Sequence, residues 1–290
     1  MIVLLTGHRG RLGSVIGEHL RSVGHEVRGF DLAEGGDILD AAAVEEAARD
    51  VAAIVHIAGI AGDRPANPDA VMATNVLGTW HVLLAAESAR VPRVVYMSSG
   101  KALGLLERDP DYLPVDDDHR GLPSLPYALS KWLAEEMCAA FSARTGIQTL
   151  CLRPVQVFDA ESYAAAARRT DRVPEGGHWH LGVHIDVRDV AAACAAALNC
   201  AAPRHERLLL SAADIADHRP TRELVARYLP SVEWRGGAEY DRDPYKALVD
   251  CGRAARVLGW TPQHTWPQRM SRASAEPAHP DAQASSSRSH

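Results

Sequence analysis

The chain lacks any surplus of positive charge. Its 290 residues carry 31 Lys and Arg against 37 Asp and Glu, a formal net charge of -6. Nucleic acid therefore has no basic footprint to bind, and none is expected as a partner. Also absent are His-Glu-x-x-His and Cys-x-x-Cys, the spacings that hold zinc, although histidine is plentiful at 14. No metal is expected. No apolar run approaches the roughly 20 residues of a membrane span. The run Ile2 to Leu5 breaks at once into a glycine loop, too short for a secretory signal, so the expected location is the cytoplasm with no membrane partner. Cysteine is scarce and odd in number: Cys138, Cys151, Cys194, Cys200 and Cys251 are scattered through apolar runs. They read as small buried hydrophobes in a reducing compartment. A composition of 47% hydrophobic and 23% charged residues describes an ordinary globular chain, long enough for one large domain or two modest ones. From about Ser271 to His290 the sequence is Ser/Ala/Pro-rich without periodicity, and a disordered tail is expected.

Ile2-Val3-Leu4-Leu5 is a continuous apolar run of the kind that forms a parallel strand buried on both faces. It leads into Thr6-Gly7-His8-Arg9-Gly10-Arg11-Leu12-Gly13, after which Val15, Ile16, His19, Leu20 and Val23 recur at helical spacing. Strand, glycine loop and helix in that order give a dinucleotide cradle its context. Glycines permit the tight turn, and the helix N-terminus offers unpaired N–H groups to a pyrophosphate. A second strand, Glu26 to Phe30, ends in Asp31, where a carboxylate is placed to accept hydrogen bonds from an adenosine ribose and to repel a 2'-phosphate. NAD is therefore expected ahead of NADP, with Arg9 and Arg28 as the counter-signal. A third strand over residues 53–57 runs into Ala58-Gly59, small residues against which a cofactor can lie. Asn75 falls inside an expected helix over 69–89, where asparagine is locally unfavourable.

A fourth apolar strand, Val94 to Met97, delivers Ser98-Ser99 at its carboxyl end. Further on, Tyr127 and Lys131 stand four apart in a helical segment, so they share one face. A phenol of pKa about 10 is a poor base near neutrality. A fixed ammonium beside it favours the phenolate, so the pair can exchange a proton with an alcohol or carbonyl. Ser99 supplies a hydroxyl to orient the same oxygen.

The ordered set Thr6-Gly7-x-x-Gly10-x-x-Gly13, Asp31, Asp37-Ile38, His56-x-Ala58-Gly59, Asn75-Val76-x-Gly78-Thr79, Ser98-Ser99, Tyr127-x-x-x-Lys131 and Arg153-Pro154 resembles the extended short-chain dehydrogenase/reductases, the NAD-dependent epimerase/dehydratase superfamily. The likeness continues through residues 184–191 and Leu258-Gly259-Trp260-x-Pro262. It implies an α/β fold, a Rossmann-type doubly wound parallel sheet with a small C-terminal substrate-binding region. Residues 1–153 would form the NAD-binding domain and 154–270 the smaller region, with 183–211 returning to the sheet. By position, Ser99, Tyr127 and Lys131 match the family's catalytic residues. Gly7, Arg9, Gly10, Arg11, Leu12, Gly13, Asp31, Asp37, Ile38, Ile57, Ala58, Gly59 and Asn75, with Tyr127 and Lys131, fall at its cofactor-binding positions. Pro154 and Val155 match the segment beside the nicotinamide. A homodimer through the helices near 69–89 and 127–144 is implied as well.

The second half departs from the nucleotide-sugar members. Gln156 stands where many carry asparagine, and about 25 residues separate Phe158 from His184, a short arm for enclosing a nucleotide diphosphate. Gly100 and Lys101 occupy the places where the 4,6-dehydratases carry Asp-Glu, which disfavours dehydration. Arg168 and Arg169 fall where the uronate dehydrogenases hold a carboxylate with an arginine. The alternative is a solvent-exposed pair. Gln156, Arg168 and Arg169 join Ser99 as candidate substrate contacts. His178 and His180, around Trp179, either line the pocket or belong to a surface loop. The acidic run Asp116-Asp117-Asp118, in an insertion rich in proline, reads as a solvated edge. The expected activity is NAD-dependent hydride transfer to or from a secondary alcohol or carbonyl of a small, polar, sugar-like and sometimes carboxylated substrate. The alternatives are a nucleotide-sugar epimerase with tightly bound NAD and a non-catalytic NAD sensor.

Overall fold

A computed structural model describes residues 1–62, 67–105, 107–167, 181–201 and 203–266. Within it, β1 (Ile2–Thr6), β2 (Glu26–Phe30), β3 (Ala53–His56), β4 (Arg93–Met97), β6 (Gln148–Pro154) and β9 (His205–Leu210) form one sheet in the order β2-β1-β3-β4-β6-β9. Every pairing in it is parallel.

Alternate side chains of these strands enter two different cores, which is why the strands read as unbroken apolar runs. Val3, Leu5, Val55, Val95, Leu150, Leu152, Leu208 and Leu210 pack with α1 (Arg11–Ser22), α7 (Val187–Asn199) and α10 (Gly252–Leu258). Leu4, Ile54, Val94, Tyr96 and Cys151 pack with α2 (Ala41–Ala47), α4 (Gly78–Ser88) and α5 (Pro126–Thr145). From β1 the chain moves to one side to build β2, then crosses to the other to build β3. The order therefore reverses at the carboxyl ends of β1 and β3, where sheets of this kind open a ligand crevice.

The expected long helix is interrupted. α3 (Pro68–Met72) continues through a π-helical stretch, Ala73–Leu77, before α4, and Asn75 sits in that stretch. Such bulges put one extra residue into a turn and re-aim its side chains.

The insertion after Ser99 is more ordered than its prolines suggest. It contains a 3-10 turn over Gly100–Leu103 and the short strand β5 (Tyr112–Leu113), which pairs with β10 (Glu233–Trp234). Its apolar side chains Leu103, Leu105, Leu113 and Val115 close a third core with α8 (Thr221–Tyr228), Ile215 and Leu248. The one-turn helix α9 (Glu239–Arg242) lies at the rim and anchors there through Tyr240, whose hydroxyl donates to the Ala247 carbonyl at 2.6 Å. Only part of the acidic run is a solvated edge: Asp118 is exposed, Asp116 is half-buried and Asp117 is buried. Asp117 accepts the Leu209 N–H at 2.6 Å, Asp116 accepts the Tyr112 hydroxyl at 2.6 Å, and Asp118 pairs with Arg253. The reason for the burial of Asp117 is topological, because β9 comes back over the insertion and sets the Leu209 N–H on its carboxylate.

A small aromatic cluster of Phe158, Tyr163 and Trp266 joins β7 (Val157–Phe158), its partner β8 (Ile185–Asp186) and α6 (Ala160–Ala167). Of the cysteines, Cys138, Cys151 and Cys194 are buried, Cys200 and Cys251 are half-buried, and all are free thiols. Among the described residues no helix is long and apolar enough to cross a membrane, and no cluster of His, Cys, Asp and Glu is arranged to hold a metal. Arg168, Arg169, His178, Trp179, His180 and the segment 271–290 lie outside the described residues.

Candidate active site

The glycine loop lies at the reversal point. Gly7 has φ +73°, and a Cβ there would come within 2.7 Å of the Ala58 nitrogen. A Cβ on Gly13 would stand 2.0 Å from the Gly7 carbonyl oxygen. No side chain can occupy either place, so α1 starts tight against β1. Gly10 is its N-cap, and no side chain caps the helix. The first-turn N–H groups of Arg11, Leu12 and Gly13, which an α-helix cannot satisfy internally, are thus left to an anion. Asp31 ends β2 beside them. Its carboxylate accepts the Arg9 N–H at 2.9 Å and the Ala33 N–H at 3.0 Å. Arg28 is directed elsewhere, its guanidinium donating to the carbonyls of Ala47 and Arg49 at the end of α2. The Arg9 side chain leans on Glu34 at 3.4 Å. These residues fit a dinucleotide: a helix terminus without a cap, a loop that only glycine can build, and a carboxylate at the tip of the next strand.

Below the loop runs a buried chain of hydrogen bonds. The Thr79 hydroxyl donates to the Asn75 carbonyl at 2.6 Å, so toward His56 Nε2, at 3.1 Å, it acts as acceptor. That assigns the proton to Nε2 and leaves Nδ1 to accept from the Thr6 hydroxyl at 2.7 Å. The Thr6 oxygen in turn accepts from the N–H groups of Ile57 and Ala58. Burial lowers the His56 pKa to about 3, helped by the Lys131 charge, so the imidazole stays neutral as the chain requires. Asn75 forms a second tie. Its oxygen accepts the Ile60 N–H at 2.8 Å, and its nitrogen donates to the Ile60 carbonyl and the Ser130 hydroxyl, both at 3.0 Å. Gly59 leaves room for it, since a Cβ there would lie 2.8 Å from that oxygen. Thus Asn75 fastens the Ile57-Ala58-Gly59 edge to α5. Asp37 turns its carboxylate onto the Leu39 N–H at 2.9 Å, and Ile38 packs against Gly78.

Tyr127, Lys131 and Glu135 occupy one face of α5 at i, i+4 and i+8. Lys131 is 5% exposed. Its Nζ donates to the Met97 carbonyl at 2.8 Å and stands 5.9 Å from the Tyr127 ring centroid and 4.8 Å from that of Tyr96. Burial lowers its pKa to about 8, and the Glu135 charge opposes the shift. Lys131 is therefore still an ammonium at neutral pH. Ser99, one residue beyond the buried Ser98 and two beyond Met97, is 9% exposed and accepts the Lys101 N–H at 3.2 Å. Val155 closes on the neighbouring turn, its Cγ1 lying 3.5 Å from where a Gly100 Cβ would be, with the Pro154 carbonyl oxygen 3.6 Å from the same point. Gln156 is exposed at the crevice edge, its carbonyl accepting the Ile185 N–H at 2.9 Å. The structure thus brings Ser99, Tyr127, Lys131, Pro154 and Val155 to one edge of the sheet.

Beneath that cluster lies a group of charges that motif spacing passes over. Glu135 is fully buried, accepts from Arg153 through two hydrogen bonds of 2.8 and 2.6 Å, and also receives the Ser98 hydroxyl. Arg207 adds a contact to Glu135 at 3.6 Å. Extending the four-residue spacing from Tyr127 and Lys131 by one step finds Glu135, whereas its partner Arg153 is visible only in three dimensions. Arg11 carries a link the glycine motif does not show. Its guanidinium pairs with Asp159 and donates to Ser162 at 2.6 Å, joining the loop to α6. This holds the Asp159 carboxyl well below the usual carboxylate range.

Residues 3–208 match the family model described as the NAD dependent epimerase/dehydratase family. A uronate dehydrogenase of Pseudomonas syringae pv. tomato is 31% identical over 163 residues, which is 52% of this chain and 58% of that protein. The match therefore spans little more than half of that relative. A UDP-glucose 4-epimerase of Streptomyces lividans is 25% identical over 89% of this chain and 91% of its own length. Among solved structures, a short-chain dehydrogenase/reductase superfamily protein from Agrobacterium tumefaciens with bound NAD superposes with TM-score 0.72 and 26% identity, covering 95% of this chain and 96% of that one. With the family model covering more than half of its length, the chain belongs to the NAD dependent epimerase/dehydratase family.

Proposed function

We propose that this chain is an NAD-dependent dehydrogenase that oxidises a secondary alcohol, or reduces the matching carbonyl, of a small sugar-like substrate. The observation that carries the reading is the buried Lys131 ammonium beside the Tyr127 ring, one strand end away from Ser99. The α1 N-terminus would hold the pyrophosphate of NAD and Asp31 its adenosine ribose. With Arg28 occupied at the end of α2, Asp31 favours NAD over NADP. NAD held there would supply the hydride acceptor or donor for the substrate carbon. The Ser99 oxygen already accepts the Lys101 N–H, so its own proton points the substrate oxygen toward Tyr127. Tyr127 removes or restores the proton on that oxygen, and Lys131 stabilises the phenolate by charge. The similarity to uronate dehydrogenases and the short arm before His184 support a hexuronate-sized substrate.

Purified protein incubated with NAD and a panel of uronates and polyols is expected to accumulate NADH. Epimerised sugar without NADH, from a nucleotide-sugar substrate, would establish the epimerase reading instead, which the Streptomyces lividans relative favours by its coverage. The proposed assembly is a cytoplasmic homodimer. Leu77, Trp80 and Leu84 form an exposed apolar stripe beside α5, and elution at a monomer's volume in gel filtration would contradict it.

A further inference from the structure

Arginine supplies nearly all the positive charge of this chain: of its 31 basic side chains, 28 are arginine and three are lysine. Two of those three lysines flank one ring. The Nζ of Lys131 lies 5.9 Å from the Tyr127 centroid and that of Lys101 lies 5.8 Å from it. Lys131 approaches from within α5 and is anchored to the Met97 carbonyl. Lys101 comes from the turn that begins at Ser99, and its side chain is only part-buried.

That turn is fixed. Ser99 caps it, Ala102 and Leu103 are buried beneath it, and it ends at Gly104 with φ +72°. A Cβ on Gly104 would come 2.5 Å from the Leu122 carbonyl oxygen. The turn that carries Lys101 is therefore tightly held, and its ammonium lies beside the ring of the phenol that handles the substrate oxygen. In an acidic chain, a cation held at the reacting centre draws anions. Lysine suits this place because its compact charge, on a flexible stem with three rotatable donors, meets a single oxygen without the planar alignment that arginine demands.

We propose that Lys101 is the anchor for an anionic group of the substrate, a carboxylate or a phosphate, attached close to the carbon that exchanges hydride. In a pyranuronate the carboxylate reaches the anomeric carbon by a short path through the ring oxygen, which satisfies this geometry. The inference rests on the dehydrogenase reading and narrows it, since it makes the anionic group, rather than the hydroxyl pattern, the main determinant of selection.

The test compares galacturonate, galactose 6-phosphate and galactose on NAD-loaded wild type, Lys101→Met and Lys101→Arg. The preference of wild type for an anionic sugar over galactose, as a ratio of kcat/KM, is expected to fall about tenfold or more in Lys101→Met, mainly through KM, and to return in large part in Lys101→Arg. Whichever anionic sugar carries the effect identifies carboxylate or phosphate. An equal loss on all three sugars would overturn the proposal and assign Lys101 to the phenol alone. Should none be turned over, the choice of these sugars under the dehydrogenase reading fails, and calorimetric binding still decides the role of Lys101. A charge preference lost in Lys101→Met upholds it, while the absence of any preference, or its survival in that variant, overturns it.

Discussion

The proposed cofactor cradle and the proposed catalytic helix stand side by side at the same edge of the sheet and are built by opposite means. The cradle works by subtraction: Gly7, Gly13 and Gly59 each mark a place where a Cβ would strike backbone or the Asn75 oxygen, and the ligands it offers are main-chain N–H groups. The helix works by addition, burying Lys131, Glu135 and Arg153 in a space where each charge depends on a partner. The two regions should therefore fail differently. Adding atoms breaks the cradle without touching charge, and removing one partner breaks the helix side without touching shape.

The largest effect is expected at Gly13. Gly13→Val places carbon 2.0 Å from the Gly7 carbonyl oxygen, so the loop must open and NAD binding by calorimetry should become undetectable. Next is Glu135→Gln, which leaves Arg153 buried without its carboxylate. Urea unfolding should show a loss of about 3–5 kcal/mol, largely recovered in Glu135→Gln/Arg153→Met. Retention of full stability in the single variant would erase the contrast between the two regions. Asn75→Ala, at the seam between them, should cost about 1–3 kcal/mol and weaken NAD binding and turnover together, because Ile60 and Ser130 lose a shared partner.

The smallest effect is in pH dependence. Burial raises the Asp117 pKa from 3.8 to about 7, so the folded chain keeps this proton where the unfolded chain releases it. The contribution of Asp117 to stability is then full below pH 3.8 and lost as pH rises toward about 7. Asp117→Asn keeps an acceptor for the Leu209 N–H, and its Tm should fall less than that of the wild type across this window.

The asymmetry also explains what the sequence discloses. Glycine at Gly7, Gly10 and Gly13, and the four-residue step from Tyr127 to Lys131, are local features whose spacing is their geometry, so both regions could be placed by inspection. The apolar strands were legible for the same reason, down to Ser99 at the end of β4. Partners far apart in the chain were not. Arg153 under Glu135, Asp159 across from Arg11, and the burial of Asp117 beneath Leu209 all depend on which strands become neighbours, and β9 reaches the sheet only after α6, β8 and α7 have been laid down. The π-helical stretch at Asn75 was half visible: an asparagine in a helix signals that something is paired there, but its partners, Ile60 and Ser130, lie 15 and 55 residues away.

The measurement that bears most directly on the account is single-turnover hydride transfer in Tyr127→Phe, with NAD affinity determined on the same preparation. The phenol hydroxyl is held to carry the proton, while the α1 N-terminus, Asp31 and Lys131 are held to carry most of the NAD binding. The variant should therefore bind NAD as the wild type does and transfer hydride slower by about 10²–10⁴-fold. A variant that binds NAD equally well and turns over at close to the wild-type rate would contradict the assignment of Tyr127, and with it the mechanism built on the charge of Lys131.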